Sequence, residues 1–383
     1  MKQGWTYKKL GEVASFMSGY TPDKSELIPQ GKYPYFKVAE MNNPGNELFM
    51  RNTSLFIDSP RKVFPKGSII FPKNGGAIYT EKKRILEYDS VIDLNTEAIS
   101  PKGQIELKYL FCFLNHIKIS SFDKGGGLPS IDLKKMANSL VPIPPLSEQQ
   151  RIVSRLDSAF AHIDELKANA EKQLNEARAL FQKALSKAME PKEGWEEKKL
   201  NVIANYSIGL TYKPIDVKEE GTIVLRSSNI QNDILDLNDI VRVSCPIKES
   251  LYVNEGDILM CSRNGSAKLV GKVALIPYLD EKMTYGTFMM LIRSDYNPYL
   301  FYFFKSEDFR NQIKHGEANM INQITRYMLD EVYVNVPPLA DQHRIVSRLD
   351  ALSEHVKALE ENQRKVMAEC DALKQALLRK VFE

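Results

Sequence analysis

Apolar residues follow two different patterns along the chain. In the segments 1–143 and 191–336, short apolar runs such as 67–71 and 273–276 are bounded by Gly, Pro, Asn or charged residues. Runs of this length between turn residues predict strands, and the apolar stretch 107–117 predicts a helix. Each of the two segments is therefore predicted to be a mixed α/β globule.

The segments 144–190 and 337–383 have the apolar spacing that is typical of coiled-coil helices. After an opening pair of prolines, neither segment contains another Pro or Gly. Apolar side chains recur at steps of three and four, which predicts a seam facing a partner helix, and the polar Gln173 and Gln363 interrupt the two seams. The predicted seam positions are Leu156, Ala159, Ile163, Leu166, Ala170, Ala177, Leu180 and Ala184 in the first helix, and Leu349, Leu352, Val356, Leu359, Val366, Cys370, Leu373 and Leu377 in the second.

The chain repeats itself, and this repeat determines its organisation. Between Gly4–Thr21 and Gly194–Thr211, 8 of 18 positions are identical, and they include both tryptophans of the sequence. Between Pro144–Asp157 and Pro337–Asp350, 11 of 14 positions are identical. The order is therefore globule, helix, globule, helix.

The repeat divides the chain into four predicted segments: 1–143, 144–190, 191–336 and 337–383. Because the first helix leaves the first globule and the second helix leaves the second globule, the two helices are predicted to pack antiparallel. About 40 helical residues at 1.5 Å each give a length of roughly 60 Å. The predicted fold class is α+β, with two mixed α/β domains separated by a coiled coil of two long antiparallel helices.

Charge gives only weak information about partners. The net charge of the chain is +3, which by itself does not indicate a nucleic-acid partner. Residues 1–143 hold 20 Lys and Arg against 14 Asp and Glu, whereas residues 191–336 hold 17 against 20. Charge therefore favours DNA binding by the first globule only.

Motifs for catalysis, metals and membranes are absent from the sequence. The four cysteines and five histidines are dispersed without metal-ligand spacing, and no nucleotide-phosphate loop occurs. Asn297-Pro298-Tyr299 is similar to the motif of amino-methyltransferases but lacks its second proline, so we interpret it as a loop that leads into a helix. We predict no catalytic residue, metal or cofactor. Without a signal segment or about 18 successive apolar residues, a cytoplasmic protein with no membrane contact is predicted.

The repeated motifs closely resemble the specificity subunits of type I restriction-modification systems. They are the Pro-Pro-Leu, acidic-Gln and Arg-Ile pattern that opens each long helix, and the Gly-Trp and Lys-Leu pairs that open each globule. The resemblance covers nearly the whole chain. It implies that each globule is a target recognition domain for one half of a bipartite double-stranded DNA site and that the helices set the gap. It also implies docking of two methyltransferase subunits and of restriction subunits, with no catalysis by this chain.

Candidate DNA-binding residues lie at or beyond the ends of predicted strands, where loops tend to carry recognition residues. Arg or Lys forms paired hydrogen bonds with guanine, and Asn or Gln does so with adenine. The run of glycines that begins at Gly125 brings backbone N–H groups close to phosphate, or it is a plain flexible turn. Each residue taken singly is also compatible with a solvated surface position, so the prediction concerns the clusters. They are Lys37, Lys73, Asn74, Lys124 and Gly125 in the first globule, and Arg226, Ser228, Asn229, Arg263, Asn264, Lys268, Asn319 and Gln323 in the second.

Candidate partner-binding residues lie at the start of each long helix. Their identities recur in both repeats, although a structural helix requires only polar residues there. This favours a surface shared by two identical methyltransferase subunits over mere recent duplication. The residues are Gln149, Arg151 and Arg155 in the first helix, and Gln342, Arg344 and Arg348 in the second.

Two alternative functions stay open at this level. The chain is also compatible with a specificity subunit of a related, combined restriction-methylation assembly. From a different class, a coiled-coil scaffold whose globules bind protein rather than DNA would share the same repeat.

Overall fold

Strands and helices form where the sequence has its short apolar runs and its Pro-free segments. The computed structural model describes residues 4–314 and 323–383. The chain divides into two units, and each contains parts that are distant in sequence. Unit 1 comprises Met1–Ala170 with Arg364–Glu383, and unit 2 comprises Glu171–Gln363.

Unit 1 contains short strands, three short helices and a long helix. Its strands are β1 (Thr6–Lys9), β2 (Ala14–Ser18), β3 (Tyr33–Phe36), β4 (Phe49–Met50), β5 (Phe56–Ile57), β6 (Ile69–Pro72), β7 (Arg84–Leu86), β8 (Val91–Ile92), β9 (Thr96–Pro101) and β10 (Leu140–Ile143). Its helices are α1 (Leu10–Val13), α2 (Leu107–His116), α3 (Leu133–Ala137) and the first part of α4 (Leu146–Met189).

The strands of unit 1 form a five-stranded sheet in the order β2-β9-β6-β7-β4, a three-stranded sheet β5-β3-β8 and a pair β1-β10. Strand β6 lies at the centre of the larger sheet and is buried along its whole length, which agrees with its uninterrupted apolar sequence. Strand β10 pairs antiparallel with β1 and leads directly into α4.

Unit 2 repeats this plan with its own strands and helices. Its strands are β11 (Glu196–Lys199), β12 (Asn205–Ile208), β13 (Val217–Lys218), β14 (Thr222–Leu225), β15 (Ile230–Gln231), β16 (Ile234–Leu235), β17 (Arg242–Val243), β18 (Ile258–Cys261), β19 (Val273–Leu275), β20 (Met283–Tyr285), β21 (Met289–Arg293) and β22 (Tyr333–Val336). Its helices are α5 (Leu200–Ile203), α6 (Asn297–Lys305), α7 (Glu307–Lys314), α8 (Arg326–Asp330) and most of α9 (Leu339–Phe382).

The sheets of unit 2 have the orders β12-β21-β18-β19, β13-β17-β14-β20, β15-β16 and β11-β22. Strand β18 occupies the place that β6 has in unit 1, because both are fully buried and pair antiparallel with the strand that precedes the main short helix. The pair β11-β22 corresponds to β1-β10 and leads into α9.

The core of unit 1 is completed by the C-terminal end of α9. The Phe382 ring lies 5.4 Å from the Tyr109 ring and 5.5 Å from the Phe113 ring of α2. The His116 ring stacks on Phe382 at 5.5 Å, and burial lowers the pKa of this histidine. Leu378 joins the same cluster. The last turn of the second long helix is therefore part of the first globule.

The core of unit 2 is completed by the C-terminal end of α4. Phe181, Leu185 and Met189 are buried in the same cluster as the aromatic residues of α6. The ammonium group of Lys305 lies 5.2 Å from the centre of the Phe181 ring and 4.8 Å from that of Phe301. Each globule thus buries the end of the long helix that the other repeat begins.

Contacts between α4 and α9 pair early residues of one helix with late residues of the other, so the helices run antiparallel. In unit 1, Lys167 binds Asp371 at 2.9 Å. In unit 2, Arg178 binds Glu360 at 2.7 Å. The α+β fold with two long antiparallel helices, predicted from the sequence, is confirmed.

The seam of the helix pair differs in part from the predicted one. Leu166, Leu180 and Leu373 were expected on the seam, but they are 57%, 64% and 50% exposed. From Leu156 onward, the buried and half-buried positions of α4 follow one another at alternating steps of four and three residues. Lys167 and Phe181 therefore lie on the seam, each one residue after an exposed leucine. Lysine stems cover apolar surface while their ammonium groups reach carboxylates on the facing helix. Hydropathy alone does not identify such a seam residue.

Of the two glutamines predicted on the seams, Gln363 is buried there, whereas Gln173 is exposed and the half-buried Leu174 takes the seam position. Gln363 is buried and donates a hydrogen bond from Nε2 to Oε1 of Gln173 at 2.8 Å. A buried amide that finds its partner in only one alignment favours that register of the helices.

We expect Phe382→Ala to destabilise unit 1 by about 3 kcal/mol, since the substitution opens a cavity among the α2 aromatics. Leu373→Ala on the exposed face of the same helix is the matched control, and its effect should stay within about 0.5 kcal/mol. Urea unfolding combined with amide exchange of α2 measures both values. Equal losses for the two variants would contradict a core role for the helix end.

Candidate nucleic-acid interface

Three loops of unit 1 are joined by backbone hydrogen bonds at the end of β6. The Lys73 N–H donates to the Asn95 carbonyl at 2.8 Å, and the Lys73 carbonyl accepts from the Ile131 N–H at 2.9 Å. The next residue, Asn74, forms an isolated antiparallel bridge with Ser130. The loops after β6, between β8 and β9, and before α3 therefore meet at one edge of the sheet.

Unit 2 has the same arrangement at the end of β18. The Ser262 N–H donates to the Phe288 carbonyl at 3.0 Å, and the Ser262 carbonyl accepts from the Ile324 N–H at 2.7 Å. Arg263 forms the isolated antiparallel bridge with Gln323. These bonds have the same order and direction as those of unit 1. Each residue at this edge of unit 2 therefore has an equivalent residue in unit 1. The equivalent pairs are Lys73 and Ser262, Asn74 and Arg263, Asn95 and Phe288, and Ser130 and Gln323.

A fourth loop joins this edge in both units. In unit 1 the Asp93 N–H donates to the carbonyl of the last β3 residue, Phe36, at 3.0 Å, which places Lys37 beside the loop between β8 and β9. In unit 2 the Gly286 N–H donates to the carbonyl of the last β14 residue at 2.9 Å, and this places Arg226 correspondingly.

We call these two loop edges rim 1 and rim 2. Rim 1 consists of Lys37, Lys73, Asn74, Asn95, Lys124 and Gly125. Rim 2 consists of Arg226, Ser228, Arg263, Asn264, Lys268, Phe288 and Gln323. The two rims contain all the predicted DNA-binding residues except Asn229 and Asn319.

The lysines of rim 1 differ in how far they are engaged. The Lys73 ammonium group lies 3.3 Å from Oε2 of Glu97, a carboxylate that is almost fully buried. Lys37 is half-buried and its ammonium group lies 5.7 Å from the centre of the Tyr35 ring. Lys124 is exposed. Lys37 and Lys124 therefore form no ion pair in the part of unit 1 that the structure describes, although the charge of Lys37 opposes the rise in the pKa of Asp93 and of Glu40.

Buried carboxyl groups lie directly under rim 1. Burial raises the pKa of Asp93, although Thr96 donates a hydrogen bond to it at 2.5 Å. Burial also raises the pKa of Glu40, and the backbone N–H of Lys37 opposes this shift by donating to its carboxylate. The carboxylates of Glu40 and Asp93 thus accept hydrogen bonds within the loops that form rim 1.

The glycine loop of rim 1 is closed by Asp123. The carboxylate of Asp123 accepts from Tyr79 Oη at 2.7 Å and from the Ser130 N–H at 3.0 Å, and these bonds lower its pKa. Gly125 has φ of 73°, which a residue with a side chain rarely adopts. Leu128 at the loop tip is 72% exposed. The loop is thus anchored at its base and open to solvent at its tip.

The arginines of rim 2 are not equivalent. Arg226 donates from Nη2 to Oδ2 of Asp239 at 2.9 Å. Arg263 is exposed, and its guanidinium carbon lies 5.7 Å from the centre of the Phe288 ring. Asn264 donates to Ser227 Oγ at 3.1 Å, a bond that ties the end of β18 to the loop after β14.

The remaining predictions for rim 2 have mixed outcomes. Lys268 and Gln323 are exposed, whereas the Ser228 hydroxyl is buried and has no hydrogen-bond partner among the described residues. Asn319 lies outside the described residues. Asn229 requires a correction, because it is fully buried and its amide holds the turn by bonds with Arg226 N and with two backbone carbonyls. We therefore remove Asn229 from the DNA-binding set.

The predicted partner-binding residues separate into two groups. Gln149 is fully buried: its Oε1 accepts from the Glu106 N–H at 2.8 Å, and its Nε2 donates to the carbonyls of Gln104 and Pro144, both at 2.9 Å. Gln342 is buried likewise and donates to the Pro337 carbonyl at 2.8 Å. The repeated glutamines therefore fasten the start of each helix and are not exposed to a partner.

The repeated arginines are exposed. Arg151 binds Glu148 at 2.6 Å and Arg344 binds Asp341 at 2.8 Å, both one helical turn away. Arg155 and Arg348 follow on the same helices and are also exposed, one further turn along. These four side chains are the accessible part of the predicted partner surface.

Sequence reasoning missed Phe288 and Asn95, which complete the two rims. Phe288 is 56% exposed on the loop before β21. The available signal was Gly286, which begins a turn between two apolar runs and leaves the next residues on a loop.

Within residues 4–314 and 323–383, no group of three or more His, Cys, Asp or Glu side chains is placed to hold a metal ion. Over the same ranges, none of the helices is both long enough and apolar enough to cross a bilayer.

Two copies of one mixed α/β unit, each with a loop rim and each followed by a long heptad helix, define a class of tandem-repeat protein. The chain belongs to the family described as type I restriction modification DNA specificity domain, whose sequence model matches residues 2–176 and again residues 192–368. The family inferred from the repeated motifs is thereby confirmed. The chain is a DNA-binding specificity subunit, the non-catalytic component of a type I restriction-modification system.

Curated relatives agree with this assignment. The specificity subunit of type I restriction enzyme EcoKI from Escherichia coli (strain K12) is 26% identical over 414 residues, which cover 100% of this chain and 89% of the relative. The StySPI specificity subunit from Salmonella potsdam is 21% identical over 413 residues, covering 100% of this chain and 89% of the relative.

Solved structures share the fold. A chain from a study of complex assembly and conformational transition of the type I R-M system has a TM-score of 0.77 at 21% identity, with 100% of this chain and 98% of that chain covered. The HsdS subunit from Thermoanaerobacter tengcongensis has a TM-score of 0.52 at 21% identity, with 100% and 97% covered.

We expect Gln149→Ala to lower the stability of unit 1 by about 2 kcal/mol, because it leaves buried backbone groups without partners. Arg151→Ala, two residues further on the exposed face, should change stability by less than about 0.5 kcal/mol. Chemical unfolding of the two variants measures the difference. If Gln149→Ala were as stable as Arg151→Ala, the fastening role of Gln149 would be wrong.

Proposed function

We propose that unit 1 and unit 2 each read one half of a bipartite double-stranded DNA target. One observation carries the proposal: the two rims share their backbone hydrogen bonds but differ in side chains at equivalent positions. Asn74 in rim 1 corresponds to Arg263 in rim 2, and Asn95 corresponds to Phe288. The backbone bonds are the same in both rims, whereas the side-chain donors and acceptors differ. This supports our proposal that the two units read two different base sequences.

In this proposal the residues of rim 1 divide their roles by exposure and engagement. Asn74 is suited to adenine, which an amide contacts by two hydrogen bonds. Lys124 and the backbone N–H groups from Gly125 onward are suited to phosphate oxygens. Lys37 and Lys73 supply positive charge at the base of the rim, and Lys73 shares its charge with Glu97.

In rim 2 the base-reading role falls to Arg263, Asn264 and Gln323, whose side chains are exposed or half-buried at the loop edge. Lys268 is suited to phosphate. Arg226 and Ser228 contribute from the loop after β14, where Arg226 is partly engaged by Asp239. Each rim has two cations without an ion pair, so the larger share of nonspecific affinity proposed for unit 1 rests on the excess of basic over acidic residues in segment 1–143.

We further propose that the long helices set the gap between the half-sites and dock the other subunits. Each helix has 44 residues, which corresponds to about 66 Å at 1.5 Å per residue. The exposed pairs Arg151 with Arg155 and Arg344 with Arg348 supply the same surface twice. That duplication suits two identical methyltransferase subunits, to which restriction subunits are added.

Exchange of residues 1–143 for the corresponding globule of another specificity subunit should change one half of the methylated sequence and preserve the other. The reciprocal exchange of 191–336 should change only the other half, because each rim is built within its own unit. Sequencing of methylated host DNA measures both outcomes.

Both exchange variants retain α4 and α9, so copurification with the methyltransferase subunit is the control for assembly. A change in both halves after either exchange would contradict independent reading. Unchanged methylation after both exchanges would instead support a protein-binding scaffold.

Deletion of one heptad from each helix should shorten the gap between the half-sites. Removing residues 173–179 together with 359–365 deletes the Gln173–Gln363 and Arg178–Glu360 contacts as a set and keeps both seams in phase. The loss of about 10.5 Å corresponds to roughly three base pairs at 3.4 Å each.

Three base pairs also rotate one half-site by roughly a quarter turn or more around the duplex. We therefore expect strongly reduced methylation, with the surviving sites carrying the original half-sites around a shorter gap. Sequencing of methylated DNA from the double deletion provides the measurement. Full activity at the original spacing would show that the helices do not determine it.

A further inference from the structure

We infer that Arg263 reads a guanine in the half-site of unit 2 and that Phe288 positions its guanidinium group. This inference rests on the proposed function, since it assigns a base to one residue of rim 2. Its first support is that Arg263 differs from the other arginines in or directly after the strands of unit 2. Ion pairs engage these arginines: Arg226 with Asp239, Arg242 with Glu281, and Arg293 with Asp257.

Arg263 is exposed, and among the residues that the structure describes no carboxylate forms an ion pair with it. An arginine bound to a carboxylate must give up that bond before it can donate two hydrogen bonds to a base. Arg263 has no such bond to break. Its contact is instead with the Phe288 ring, at 5.7 Å from the ring centre.

The backbone of Arg263 is held on two sides. Its N–H donates to the Phe288 carbonyl at 3.1 Å, and the residue forms an antiparallel bridge with Gln323. Two attachments fix the point from which the side chain leaves the rim. Phe288 is 56% exposed and its ring carries no hydrogen-bonding group, so it restricts the guanidinium group and leaves every N–H of that group available.

The chemistry of this arrangement matches one base. Guanine presents two acceptors, O6 and N7, in the major groove, and the planar fork of arginine donates to both at once. The equivalent position in rim 1 is Asn74, whose Nδ2 lies 3.4 Å from Oδ1 of Asn95. The same backbone position thus carries the guanidinium group of Arg263 in unit 2 and the amide of Asn74 in unit 1. We conclude that this point is a base-reading position.

The test uses the full chain assembled with its methyltransferase subunits, and duplexes in which the half-site of unit 2 varies one base pair at a time. We expect that half-site to contain a G·C pair at which Arg263→Ala loses about 10- to 100-fold of the discrimination. Discrimination at the other pairs and at the half-site of unit 1 should persist. The intact first half-site also reports that the variant is folded.

Replacing the contacted guanine by 7-deazaguanine removes the N7 acceptor. This duplex should weaken binding by the unaltered chain and have little further effect on Arg263→Ala. Arg242→Ala is the matched control, since it removes an ion-paired arginine of β17, which lies opposite Ile223 of β14, and should keep discrimination at every pair.

Phe288 is tested as a positioning residue. Phe288→Ala should lower discrimination at the same G·C pair as Arg263→Ala, and Phe288→Tyr should restore it, because a tyrosine ring offers the same face. A purely structural role would reduce binding to all sequences alike and would not select one base pair.

Two results would overturn the inference. One is a half-site of unit 2 without a G·C pair that depends on Arg263. The other is an equal loss of affinity for all sequences in Arg263→Ala, which would identify a phosphate contact. Failure of the proposed function itself is a different result, because exchange of 191–336 would then leave the methylated sequence unchanged.

Discussion

Neither globule encloses its own core, and the rest of the structure depends on this. The aromatic face of α2 is covered by Phe382 and Leu378 from the end of α9, and the face of α6 is covered by Phe181 and Leu185 from the end of α4. A fully buried Phe or Leu side chain contributes about 1.5–3 kcal/mol, so two per globule are a large part of the stability of a domain. Each long helix must therefore continue to its last turn, since that turn is core.

The second constraint is that backbone N–H and carbonyl groups need hydrogen-bond partners where the strands end. Peptide groups beyond β6 and β18 pair with neighbouring loops, in the same order in both units. Because these bonds use only backbone atoms, they do not depend on which side chain occupies Asn74 or Arg263. The frame thus tolerates changes of the side chains that we propose as recognition residues at little cost in stability.

Much of the fold followed from the sequence because a repeat and a heptad are patterns over many residues. The prediction of the seam was partly wrong because it weighed hydropathy alone, whereas the stem of Lys167 packs on the seam and its ammonium group reaches Asp371. The repeated Gln149 was assigned to a partner surface for a similar reason. Identity between repeats reports a shared constraint, and for this residue the constraint is the satisfaction of buried backbone groups.

The site was less predictable because the proposed reading positions are brought together by hydrogen bonds between loops that are distant in sequence. Asn229 has the residue type of a base reader, yet its amide is used within a turn, and no feature of the local sequence distinguishes the two roles. Phe288 has no polar side-chain group, so a prediction based on hydrogen-bonding residue types did not include it. Its place opposite Arg263 depends on β18 and β21 being neighbours, which the sequence does not specify.

Net charge is a poor guide to whether DNA can bind at the proposed rim 2, and the reason is the placement of the acids of unit 2. Asp239, Glu281 and Asp257 each bind an arginine at 2.6–2.9 Å, so much of their field is cancelled within a few ångströms. At physiological ionic strength the remaining field of exposed charges decays over about 8 Å. A DNA phosphate at the rim therefore responds to the few unpaired cations near it. Each ion pair removes one acid and one base, so the excess of acids in segment 191–336 remains, but screening limits its effect on a phosphate at rim 2 to the charges within about 8 Å.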